Sequence, residues 1–121
     1  MRIVSGRYKG RRLELPKNFK ARPTTDFAKE NLFNVLSNYI DFEDGVTALD
    51  LFAGTGSISL ELVSRGCDKV ISIEKESAHY SFICKVMQEV KTDSSTLSLP
   101  ILLMTYVNWK PCRILFFRIT S

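Results

Sequence analysis

Two periods of apolar and polar positions alternate along the chain, and each change of period marks an element. From Ile3 to Leu15 a weak two-residue alternation through Tyr8 and Leu13 predicts two short strands, punctuated by Gly6 and Gly10. Pro16-Lys17-Asn18 ends them. Arg22-Pro23-Thr24-Thr25-Asp26 opens a helix, because a threonine hydroxyl caps free backbone N–H groups and Asp26 and Glu30 suit the positive end of the dipole. Ala28, Leu32, Val35, Leu36 and Tyr39 recur at helical spacing and predict its core face. Asp41 to Gly45 is a polar stop. The mostly apolar run Val46 to Phe52 predicts a buried parallel strand, and Ala53-Gly54-Thr55-Gly56 a tight turn. A helix follows over Ser57 to Arg65, with Gly66 placed to end it. Lys69 to Ile73 reads as a second strand closed by Glu74, and Ser77 to Val90 as a helix with Phe82, Ile83, Val86 and Val90 on one side. Strand, glycine turn, helix, strand, acid, helix is the opening half of a doubly wound α/β sheet.

Composition narrows the class. The chain has 121 residues, 45% apolar and 25% charged, which fits one globular domain and excludes disorder throughout. It holds no apolar run of about 18 residues, and its N-terminus has charge but no apolar core of a secretory signal. Cys67, Cys84 and Cys112 are an odd, widely spaced set, so a reducing cytoplasmic setting is expected, without a disulfide framework, zinc site or membrane. The net charge of +4 is unevenly spread. Residues 1–25 carry eight Lys/Arg against one acid, a net +7. Residues 26–95 carry six bases and twelve acids, a net −6, and residues 96–121 three bases and no acid. A basic arm on an acidic body points to a polyanionic partner held by the arm.

Asp50-Leu51-Phe52-Ala53-Gly54-Thr55-Gly56-Ser57 is the most informative stretch. Glycines at a strand-to-helix turn let the backbone approach a ligand closely, and the helix start behind them supplies unpaired N–H donors. Glu74 follows the first glycine by 20 residues, where a carboxylate can accept hydrogen bonds from two ribose hydroxyls. A dinucleotide fingerprint places glycine or alanine where Ser59 stands, and Asp50 beside the loop disfavours a pyrophosphate. The same acid suits the cationic S-adenosylmethionine. A nicotinamide-dependent oxidoreductase is therefore the weaker alternative, and a non-catalytic RNA- or cofactor-binding fragment a second one.

"RPTTDFAKENLFNVL", "ALDLFAGTGSISLELVSRG" and "VISIEKE" together resemble the bacterial methyltransferases that modify a guanine N2 amine of small-subunit (16S) ribosomal RNA. "MRIVSGRYKGRRLELP" resembles that family's basic N-terminal hairpin, and the resemblance runs to about residue 93. It implies a Rossmann-like S-adenosylmethionine-dependent methyltransferase sheet, of which residues 22–93 are the N-terminal half and residues 1–21 a basic β-hairpin arm. It further implies that Asp50, Phe52, Ala53, Gly54 and Gly56 line the methionine part of the cofactor and that Glu74 holds its ribose. Thr24, Thr25 and Arg22 would border the cofactor and the target base. Arg2, Arg7, Lys9, Arg11 and Arg12, with Arg22, would contact RNA, within small-subunit particles.

The family also uses an Asn/Asp-Pro-Pro-Tyr motif that clamps and stacks on an extruded base, and this chain has none. In the tail from Ser94, residues 99–109 show neither helical nor strand period, and no acid follows Asp93. We read this tail as out of frame. Joining the third base of each codon to the first two of the next lets residues 100–105 encode Asp-Pro-Pro-Tyr-Asp and residues 96–100 a preceding Phe-Ile-Phe-Ala. The apolar runs 102–107 and 114–117 are β-prone aggregation hazards, and a half sheet leaves an unpaired edge. His79 reads as a solvated helix residue, Phe27, Phe33, Phe42 and Phe82 as core, and Cys67 and Cys84 as small half-buried hydrophobes. The coding DNA across residues 93–105 checks the tail. The expected result is Asp-Pro-Pro-Tyr in the shifted frame, and any other codon series there refutes the frameshift.

Overall fold

Thr25 caps the first helix with the chemistry its sequence offers: its hydroxyl accepts from the Ala28 N–H at 3.1 Å, and the helix runs over Asp26–Leu36 (α1). The computed structural model describes residues 1–20, 22, 24–92, 101–109 and 112–120, with side chains through Val90. The junction at 93–100, where the sequence changes character, lies outside the described residues. After α1 come Thr47–Asp50 (β1), Ser57–Ser64 (α2), Lys69–Glu74 (β2), Ser77–Thr92 (α3), Ile101–Trp109 (β3) and Cys112–Thr120 (β4).

β1 and β2 pair in parallel, Thr47 with Lys69 through Asp50 with Ser72. β4 lies antiparallel to β2 and to β3, which gives the order β1-β2-β4-β3. The strands β3 and β4 run through the segments 102–107 and 114–117 that read as β-prone, although residues 99–109 show no strand period. Continuous apolar, β-branched runs can pair through their backbones without alternation. They cover one side of β2, and among the described residues β1 and β3 are the two edge strands of the sheet. β1 is also shorter and less buried than expected: Leu49 is 56% exposed. The predicted N-terminal strands reduce to one antiparallel bridge, Arg2 with Arg12. It is supported by Ile3 N–H to Arg11 O (3.0 Å) and Leu13 N–H to Met1 O (2.8 Å).

The core gathers Ile3 and Leu13 from the arm, Phe33, Phe42, Leu60, Leu62, Val63 and Cys67, Val70 from β2, and Phe82, Ile83, Val86, Met87 and Val90 from α3. Burial pushes the Cys67 thiol up to about 11, so it stays neutral and packs as a hydrophobe. The predicted core face of α1 is corrected. Lys29 and Phe33 are buried, whereas Leu32, Val35 and Tyr39 are exposed, as is Phe27.

The reason is a charge pair. Lys29 is 1% exposed and Glu61, in the middle of α2, is fully buried. Lys29 Nζ lies 3.6 Å from Glu61 Oε2, donates to Ser57 Oγ at 3.1 Å and also donates to the Arg2 carbonyl. Glu61 accepts the Val4 and Ser5 N–H groups at 2.9 and 3.0 Å and the Arg65 Nε–H at 3.0 Å. Loss of water holds the Lys29 ammonium below the usual lysine range, although Glu61 and Asp26 pull it up. The pair ties α1, α2 and the arm to one point. Gly6 completes the joint. Its φ of +88° brings the arm so close to α2 that a Cβ there would meet Ser64 O at 2.0 Å.

Removing one partner of a buried pair leaves the other uncompensated. Glu61→Ala strands Lys29 and two arm N–H groups together, so it is expected to cost about 3–5 kcal/mol. Lys29→Met keeps the apolar stem, and Glu61 retains Arg65 and both N–H donors, so this loss should be smaller. Denaturant unfolding checks the order; an equal or reversed ranking contradicts it.

Candidate cofactor site

The site is built where β1 runs into α2. Ala53 N–H donates to Ile73 O at 3.1 Å, which continues the β1–β2 pairing past the end of the strand. The chain then turns, Gly56 N–H donating to Ala53 O at 2.7 Å. Gly54 and Gly56 both hold positive φ, +54° and +76°. At Gly56, which caps α2, a Cβ would also stand 2.9 Å from the Ile83 side chain, so α3 and the turn approach more closely than any larger residue permits.

Glu74 ends β2 beside this turn. Its Oε2 accepts the Gly54 N–H at 2.7 Å and its Oε1 the Glu76 N–H at 2.8 Å. The carboxylate and the glycine corner thus converge on one point. A carboxylate has about four acceptor positions. Two are taken here, which leaves capacity for further donors. Glu74 is 8% exposed, Ala53, Thr55 and Gly56 are buried, and Phe52 stands at the rim, 92% exposed.

Asp50 lies on the covered face of β1. Its Oδ2 accepts from Ser59 Oγ at 2.7 Å, and Ser59 Oγ meets Ser72 Oγ at 2.5 Å. Ser59 and Ser72 are fully buried. Serine at the third small position of the turn is therefore the link that joins β1, α2 and β2 through hydrogen bonds. A glycine or alanine there would leave buried Ser72 and half-buried Asp50 without that link.

The remaining predicted residues divide. Thr25 spends its hydroxyl on the α1 cap, while Thr24 and Arg22 are exposed near it. Arg2, Arg7, Lys9 and Arg12 are exposed on the arm. Arg11 is half-buried and donates from Nη2 to the Glu89 carbonyl of α3 at 3.1 Å, so it tethers the arm to the body. His79 corrects its reading as a solvated residue. It is 9% exposed, its ring stacks on Phe19 at 4.4 Å, and Nδ1 lies 3.7 Å from Glu74 Oε1. Phe19 in turn meets Phe82 edge-on at 5.1 Å. The helical spacing of His79 relative to Phe82, Ile83 and Val86 was the available signal for its burial. Lys29 and Glu61 were also missed; Glu61 is the lone charge in the otherwise uncharged α2 sequence SISLELVS. Among the described residues no group of His, Cys, Asp and Glu could hold a metal ion, and no helix is long and apolar enough to cross a membrane.

A family model described as "Conserved hypothetical protein 95" matches residues 1–102. The chain belongs to this family. Its relatives include ribosomal RNA small subunit methyltransferase D of Haemophilus influenzae, 37% identical over 94 residues, and that of Escherichia coli, 35% identical over 95 residues. Each match covers 78% of this chain, and 47% and 46% of the respective relative. YlbH of Bacillus subtilis, which carries a provisional rRNA methyltransferase name, is 39% identical over 99 residues, covering 82% of this chain and 48% of YlbH. The chain thus spans about half the length of the curated relatives it matches. An Escherichia coli structure provisionally described as methyltransferase yhhF superposes with a TM-score of 0.63 at 17% identity, over 99% of this chain and 98% of that one. That likeness supports the α/β methyltransferase fold. The resemblance carried by R-P-T-T-D and F-A-G-T-G is borne out by the family match and by these relatives.

Proposed function

We propose that this chain is the cofactor-binding half of an S-adenosylmethionine-dependent methyltransferase acting on a guanine N2 amine of small-subunit ribosomal RNA, in the cytoplasm. The observation that carries the reading is the 2.7 Å contact between Glu74 Oε2 and the Gly54 N–H, which joins the tip of β2 to the glycine corner. An adenosine laid there has its ribose hydroxyls beside a carboxylate with acceptor capacity to spare. The rest of the nucleoside's substituent lies against backbone that has no Cβ at Gly54 and Gly56. The residues fit the group: carboxylates at Asp50 and Glu74 favour a cation over a pyrophosphate. When bound, S-adenosylmethionine supplies an electrophilic methyl group.

The chain's own residues orient and hold. Glu74 fixes the ribose, the Gly54–Gly56 backbone defines the approach, and the Asp50–Ser59–Ser72 chain keeps β1, α2 and β2 in register beneath it. The exposed Arg2, Arg7, Lys9, Arg12 and Arg22 neutralise RNA phosphates, a term independent of sequence and sensitive to salt. Arg22, Thr24 and Thr25 border the cofactor and the target base. Residues 94–121 stand, on this reading, in place of the base-clamping half, so the chain binds the cofactor and transfers little or no methyl. In-line attack depends mainly on positioning, and the clamp supplies it.

Calorimetric titration with S-adenosylmethionine and with NADH tests this. Binding of the first alone is expected, with Glu74→Gln weakening it at least tenfold. Small-subunit particles lacking the modification should gain little or no methyl from the chain alone. Binding of NADH, or unchanged affinity in Glu74→Gln, overturns the proposal.

A further inference from the structure

His79 lies in the first turn of α3, buried beside the carboxylate that ends β2. Burying an imidazole costs free energy unless its nitrogens find partners, and a phenylalanine would pack against Phe19 without that cost. Nδ1 lies 3.7 Å from Glu74 Oε1. That separation exceeds a hydrogen bond, yet contacts of this kind tighten when a ligand closes the site. Backbone already holds both carboxylate oxygens, Oε1 through the Glu76 N–H at 2.8 Å and Oε2 through the Gly54 N–H at 2.7 Å. A third donor still leaves acceptor capacity, since a carboxylate has about four positions. The ring of His79 is itself held. Phe19 stacks on it at 4.4 Å with 30° between the planes, and Phe82, one turn further along α3, meets Phe19 edge-on at 5.1 Å. Phe19 closes a turn by donating its N–H to Pro16 O at 3.1 Å, so the end of the arm supplies the stacking ring.

We propose that His79 is a positioning residue for Glu74: its Nδ1–H, steadied by the Phe19 stack, orients the carboxylate that takes the cofactor's ribose. The role in cofactor binding rests on the methyltransferase reading of the glycine corner. An ionised carboxylate only accepts, so Glu74 beside Nδ1 selects the ring protonated at that nitrogen, neutral or charged. The last torsion of a glutamate is broad and weakly fixed. A donor on a stacked ring narrows it before the ligand arrives, which lowers the ordering cost of binding. Phe19, His79, Glu74 and the Gly54 N–H then form one run of touching groups from the basic arm to the glycine corner.

Two substitutions separate positioning from packing. Asparagine sets an amide N–H donor where the ring carries Nδ1, and phenylalanine keeps the stack without any donor. In calorimetric titration with S-adenosylmethionine, His79→Asn should stay within about threefold of the unaltered chain and His79→Phe should weaken at least about tenfold, the loss of a hydrogen bond to a charged group. Thermal unfolding should rank them the other way, with His79→Phe the more stable because it keeps the aromatic burial. Equal affinities, or affinities that follow the stabilities, overturn the proposal. The unaltered chain decides the same point without a substitution. His79 is its only histidine, so the imidazole nitrogen resonances of an isotopically labelled sample report on this ring alone. Nδ1 should be protonated, and a bare Nδ1 overturns the proposal. Cofactor binding with a bare Nδ1 defeats the positioning alone, and a protonated Nδ1 without cofactor binding defeats the methyltransferase reading alone.

Discussion

Glu61 loses its water on folding, and the way that loss is offset sets the position of everything around the glycine corner. Four donors converge on it or on its partner's surroundings: the Val4 and Ser5 N–H groups, Arg65 Nε and the Lys29 ammonium. They come from the arm, from α2 itself and from α1. A buried pair of this kind contributes little net stability compared with apolar packing. What it contributes is geometry, because charges that must find each other tolerate few arrangements. α2 starts at Gly56, so fixing α2 against α1 and the arm also fixes the turn at which Glu74 arrives. Arg65 extends the joint by lying 4.6 Å over the Phe33 ring.

A second hydrogen-bonded chain does for the sheet what Glu61 does for the helices. Half-buried Asp50 and fully buried Ser59 and Ser72 join three elements. The corner therefore rests on polar links on two sides, with the apolar core of α3 behind it at Ile83. A site held this way is stiff before any ligand arrives, and stiffness lowers the entropic cost of binding. The same economy leaves the outer face of β1 without support.

The order of elements, the Thr25 cap, the start of α2 at the second glycine and the end of β2 at Glu74 could all be read from the sequence. Each depends on a local rule: a hydroxyl before a helix, a glycine at positive φ, an alternating strand with a terminal acid. Burial was less legible. The apolar stripe of α1 pointed to Leu32 and Val35, yet tertiary pairing with Glu61 turned Lys29 inward and left those residues at the surface. His79 looked solvated because its partners, Phe19 and Glu74, come from two other segments. The tail lacks a period because its apolar stretches, 101–104 and 114–117, do not alternate with polar residues, and pairing there follows the backbone.

The central claim is that the turn after β1 and the tip of β2 recognise one adenosine. Amide chemical shifts of the isotopically labelled chain, followed during addition of S-adenosylhomocysteine, test it most directly. The Gly54, Gly56 and Glu76 resonances are expected to move together and to saturate at one ligand per chain. Saturable shifts confined to the arm or to α1, with those three amides unmoved, would contradict it.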